Sequence, residues 1–161
     1  MKHLILLGIS LLFVGSGCVS APTVSTPDEP DANDPVVVED FGNAAEKADL
    51  IVLETPMPNQ AVRSPLLVKG RARGNWFFEA SFPVTIVDWD GRIIGEGIAQ
   101  AQGEWMTTDF VPFEATLTFT ADPQAYSDRG SLILQKDNPS GLPERDDALE
   151  IPVVIEGSSR I

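Results

Sequence analysis

The most reactive side chains are one thiol, Cys18, and one imidazole, His3, and both lie in the first 18 residues of a 161-residue chain. If that stretch is a targeting segment, the folded part has neither. Ser–His and Cys–His arrangements and zinc sites built on His or Cys are then out of reach. A carboxylate pair could still cleave a glycan. A Ser–Lys dyad would draw on Lys47, Lys69 or Lys136, none of which stands in a recognisable motif. Asp88 and Asp90 invite a calcium reading, because hard cations want several carboxylate oxygens. The loop spacing is not continued after Gly91, however, and Asp90-Gly91 is a hairpin-turn signal. Asp146 and Asp147, with Glu144 and Glu150 nearby, are interrupted by Arg145 and read as a solvated loop. The inventory reads as a protein that is not an enzyme, with no catalytic residue, metal ligand or cofactor.

Two groups could bind. Trp76, Phe77 and Phe78 are consecutive aromatics entering a strand, and alternation sends Phe78 inward and Phe77 to the other face. Trp76 and Phe78 read as core or corner residues. The functional alternative is an exposed platform of Trp76, Phe77 and Trp105 for glycan or peptide. Lys69, Arg71 and Arg73 share one strand parity and would point to one face. They read as a solvated face or, alternatively, as an anion patch for teichoic acid, lipid headgroups, peptidoglycan carboxylates or the chain's own acidic segment. The balance of 11 basic to 24 acidic residues, a net charge of −13, argues against nucleic acid as a partner.

These residues need elements to position them, and composition divides the chain in three. Residues 1–17 hold a short basic start, an apolar stretch over 4–14 too short to span a bilayer, and Gly15-Ser16-Gly17 ahead of Cys18. Small residues before a lone Cys resemble the lipobox of bacterial lipoproteins, although Gly15 stands where that family usually has an aliphatic residue. The resemblance implies a signal peptide cut before Cys18 and a lipid on its thiol. Two or more acyl chains give stable anchoring. The alternative is an ordinary cleaved signal. Residues 18–49 are Pro-rich and acidic, with eight acids and one base from Asp28 to Asp49. Such sequence stays extended and reads as a disordered tether, with one or two helical turns possible over 43–49.

Residues 50–161 read as strands. Phe113, Ala115, Leu117 and Phe119 alternate with Glu114, Thr116, Thr118 and Thr120. Phe78, Ala80, Phe82, Val84 and Ile86 alternate likewise, with Pro83 demanding a sheet edge or a bulge. Further strands are expected over 50–54, 65–72, 92–102, 131–136 and 150–156. About seven short strands separated by turn residues is the arithmetic of an all-β, immunoglobulin-like sandwich, with a barrel as the alternative.

Val68-Lys-Gly-Arg-Ala-Arg-Gly-Asn-Trp-Phe-Phe-Glu79, Asp88-x-Asp-Gly91, Gly103-Glu-Trp-Met106, Phe110-Val-Pro-Phe113, Lys136-Asp-Asn-Pro-Ser-Gly141 and Ile151-Pro-Val153 follow one another in order. Together they resemble the immunoglobulin-like domain of bacterial spore germination proteins, over roughly residues 51–155. The resemblance implies a β-sandwich in bacterial envelope proteins and no catalysis. In those proteins the module accompanies another domain, whereas here it follows a tether. The expectation is an exported, lipid-anchored protein with its domain outside the cytoplasm, acting as an interaction or accessory module. Its partner would be another envelope protein or a cell-wall glycan, the glycan reading resting on exposed aromatics.

Overall fold

The computed structural model describes residues 40–158. The expected signal, Cys18 and most of the expected tether therefore lie outside the described residues. The elements are α1 (Ala44–Lys47), β1 (Ile51–Thr55), β2 (Ala61–Val62), β3 (Leu66–Arg73), β4 (Ser81–Asp88), β5 (Ile93–Ala101), β6 (Phe110–Phe119), β7 (Arg129–Gln135) and β8 (Ala148–Ile155). Single 3-10 turns occur at Gly74–Trp76 and Pro143–Arg145. Among the described residues, no helix is long and apolar enough to cross a membrane.

The eight strands form one sheet in the order β1-β3-β6-β5-β4-β7-β8-β2. Neighbours are antiparallel except β2 and β8, which pair in parallel. The sheet curls until its two halves face each other over a single core. Val68, Ala72, Phe113 and Leu117 come from one half, and Phe82, Val84, Ile86, Leu132, Leu134 and Ile151 from the other. Phe82 of β4 meets Phe113 of β6 edge-on, with ring centroids 4.9 Å apart, although β5 separates those strands in the sheet. This is the immunoglobulin-like β-sandwich that the alternation calls for. The additional strand is β2, whose two residues carry no period of their own.

In β6, Val111, Phe113, Ala115, Leu117 and Phe119 are buried and the residues between them turn outward. Pro83 lies just outside the β4–β7 ladder, which covers Val84 to Asp88, so its missing N–H interrupts nothing there. The start of β4 departs from the expected alternation. Phe78 and Ser81 close a two-residue turn with reciprocal main-chain hydrogen bonds of 3.0 and 3.1 Å. Glu79 and Ala80 sit at φ of 51° and 63° between them. The period therefore begins after the turn, and the aromatics upstream reverse their sides. Phe77 is buried and Phe78 is 41% exposed.

The folded part also reaches further toward the N-terminus than residue 50. Asn43 binds the outer edge of β8 by its main-chain N–H to the Glu150 carbonyl at 3.2 Å. Its side chain donates to the Ala148 carbonyl at 2.9 Å and accepts from the Glu150 N–H at 2.8 Å. Gly42 precedes it at φ +64°, where a Cβ would run into the Glu150 carbonyl oxygen. The short helix α1 then packs on β1 and β8, with Lys47 paired to Asp147 at 2.6 Å. The expected helical turn over 43–49 is thus present, and it belongs to the sandwich.

Candidate functional site

Several residues expected at a binding surface are elsewhere. Trp76 is completely buried and Phe77 nearly so, and neither can form a platform. The 3-10 turn at Gly74–Trp76 drops the indole into the core, and Phe77 packs on Phe82 with ring centroids 5.2 Å apart. The Trp76 indole nitrogen is buried and has no hydrogen-bond partner among the described residues, a cost that the packing of the ring must offset. Trp105 is half-buried against the core.

Lys69, Arg71 and Arg73 do share the outer face of β3, as their parity demands. Each is already engaged. Lys69 pairs with Glu114 at 2.8 Å and Arg71 with Glu54 at 3.3 Å. The Arg73 guanidinium donates to the carbonyls of Asp49 and Thr108 at 3.0 and 3.1 Å and lies over the Phe110 ring, 4.1 Å from its centroid. With Lys69 and Arg71 paired to carboxylates and Arg73 held by carbonyls and a ring, the strip is engaged by the fold's own groups.

Two exposed aromatics, Trp89 and Tyr126, meet at the far end of β4, the first inside the expected hairpin turn and the second at a position to which the sequence assigned no role. The β4–β5 hairpin turns through Trp89, Asp90 and Gly91, with the Asp88 N–H donating to the Arg92 carbonyl at 2.9 Å and the Gly91 N–H to the Asp88 carbonyl at 3.0 Å. Gly91 takes φ +76°, the left-handed position that a three-residue hairpin loop reserves for glycine. Asp88 Oδ1 accepts from the N–H groups of Asp90 and Arg92 at 3.1 and 2.9 Å. Its Oδ2 accepts from Arg92 Nε and Nη2 at 3.1 and 2.9 Å. Both oxygens are occupied by donors, so the pair Asp88 and Asp90 forms a turn and not a calcium loop.

Burial by itself would raise the Asp88 carboxyl; the hydrogen bonds from Arg92 and from the Asp90 N–H outweigh it and hold the group below its ordinary value. Arg92 reaches onward to Asp122 at 3.6 Å, tying the hairpin to the loop between β6 and β7. That loop is closed by Asp122, which accepts from the N–H groups of Gln124 and Ala125, and it is anchored by the buried Ala125. Tyr126 follows and meets Trp89, with ring centroids 5.5 Å apart and planes at 51°. Trp89 is 47% and Tyr126 71% exposed. An ion triad beneath them thus fixes two exposed aromatics side by side. The sequence signal that could have found Trp89 was its place inside the turn, where no core position exists.

Residues 50–141 match the family model for the immunoglobulin-like domain of bacterial spore germination, and the chain belongs to that family. No curated protein and no solved structure matches the chain. The family and the all-β sandwich together support an accessory or interaction module and nothing finer.

Proposed function

We propose that this is an exported, non-catalytic protein, held to a membrane by lipid on Cys18, whose domain engages another protein of the cell envelope through its Trp89–Tyr126 end. The observation that carries this reading is the exposed, pre-positioned aromatic pair with Arg92 beside it. Trp, Tyr and Arg are the residue types that dominate protein–protein binding energy. The rigid turn lowers the ordering cost of using them. A photo-cross-linker at Tyr126 in intact cells should capture a protein, and Trp89→Ala should abolish the capture. An unchanged product with Trp89→Ala overturns the docking end.

A second reading is favoured by the same rings, because the apolar face of a sugar stacks on an exposed aromatic. Trp76 is buried and Trp105 half-buried, so a fluorescence change with muropeptides or oligosaccharides would report chiefly on Trp89. Such a change, lost in Trp89→Phe, would replace the protein partner with a glycan. The anchor is tested separately: Cys18→Ala should release the protein from the membrane fraction and lose palmitate label. Retention of both overturns the lipid.

A further inference from the structure

The opposite end of β4 carries a different chemistry, independent of the partner reading above. Nine Lys and Arg residues lie among the described residues, the chain's eleven without Lys2 and Arg160. Seven of them have a side-chain hydrogen bond or ion pair. The two without one, Lys136 and Arg145, line the same cleft of about 230 Å³. The cleft lies between the 3-10 turn and Phe78 on one side and the loop from Lys136 to Arg145 on the other. The Asp137 N–H joins the two walls, donating to the Trp76 carbonyl at 3.1 Å.

Two cations without a side-chain partner among the described residues thus meet at one cleft, in a chain of net charge −13. The backbone beside them is not relaxed. Glu79 and Ala80 are consecutive non-glycine residues in the left-handed region, a conformation that costs energy and concentrates at functional sites. Its effect is to turn Phe78 out of the core into the cleft wall. The Asn75 side-chain amide, exposed in the same wall, has no partner among the described residues.

We propose that this cleft binds the free carboxylate of a peptide-like ligand. Arg145 and Lys136 take the carboxylate, Asn75 hydrogen-bonds the adjoining amide, and Phe78 covers an apolar side chain. A guanidinium fork suits carboxylate and phosphate alike. Asp137 decides between them, because a carboxylate in the same wall repels a dianion more than a monoanion. The cleft is smaller than the usual small-molecule pocket of about 300–1,000 Å³, so it would hold a ligand's end rather than a whole chain.

The test uses the full-length protein in detergent and three probes: N-acetyl-alanyl-alanine, its C-terminal amide, and inorganic phosphate. Amide chemical shifts should move at Asn75–Glu79 and Lys136–Arg145 with the free acid and saturate near the millimolar range or below. The affinity should fall as salt is raised. Arg145→Gln and Lys136→Gln should each weaken binding about tenfold, while Arg63→Gln, an equal charge change elsewhere, should leave it unaltered. No shifts with the free acid overturn the proposal, as do equal shifts with the amide or tighter binding of phosphate. Resonances of the variants outside the cleft report whether the fold is kept.

Discussion

Asp88 and Trp89 are adjacent, and one turn sends the carboxylate inward and the indole out. The carboxylate's four hydrogen bonds, two of them from Arg92's guanidinium, hold it below its ordinary value. A folded-state value below the unfolded one gives stability that is present above the unfolded value of about 3.9. It is lost as pH falls through the lower folded value. Asp88→Asn is therefore expected to cost about 2 kcal/mol at neutral pH. The gap to the wild type should close as pH falls below about 4, which urea unfolding at a series of pH values would show. A gap independent of pH would sink the carboxylate's role. The tryptophans divide in the same way. Trp76→Ala should cost about 3–5 kcal/mol, as emptying a filled core site does. Trp89→Ala should stay within about 0.5 kcal/mol, and thermal or urea unfolding separates the two. Residue type treats these indoles alike. What distinguishes them is whether the backbone beneath is a turn entering the core or a turn leaving it, and that was readable at Trp89 from Asp88-x-Asp-Gly91 but not at Trp76.

Strands were legible wherever the period was local and unbroken. Phe113 to Phe119 and Phe82 to Ile86 bury the faces their alternation assigns, because every second side chain must share a side. The failure at Phe77 and Phe78 comes from the turn between Phe78 and Ser81. Two-residue hairpin turns with both central φ values positive normally announce themselves by Asn-Gly or Asp-Gly. Glu79-Ala80 gives no such sign, so the expected alternation starts at Phe78, three residues upstream of the strand. The same observation makes a prediction for the element. A left-handed alanine costs about 1–2 kcal/mol, and glycine gives back roughly 0.4–1 kcal/mol of that through a freer unfolded chain. Ala80→Gly should therefore stabilise the domain by about 0.5–1 kcal/mol, read as a higher urea midpoint at unchanged slope. Destabilisation would mean that the turn is not strained. Strand β2 was illegible for a simpler reason: two residues, paired in parallel to Val154 and Ile155, contain no period.

At the scale of the molecule, an open sheet must manage its edges, since unpaired N–H and carbonyl groups recruit other chains. On the outer edge of β8 the covering is piecemeal. Asn43 takes Ala148 and Glu150, the Asn59 N–H donates to the Pro152 carbonyl at 2.7 Å, and β2 takes Val154 and Ile155. Residues 40–49 thus belong to the fold although their composition matches the acidic stretch before them. Hydropathy could not reveal this, because Phe41 is 53% exposed and the attachment is made by an asparagine, a glycine and one Lys47–Asp147 pair. A chain beginning at Leu50 would lose Asn43's three hydrogen bonds to β8, worth about 1 kcal/mol each. It would also uncover the apolar slot that Ala44 and Ala48 share with Ile51, Leu149 and Ile151. It should be about 3 kcal/mol less stable than the full chain and should associate as concentration rises, by urea unfolding and light scattering respectively. Asn43→Ala in the full chain removes the two side-chain bonds and should reproduce about two thirds of that loss with no association, because the segment still lies over the edge. Equal stability of the chain from Leu50 would place the boundary of the sandwich there after all.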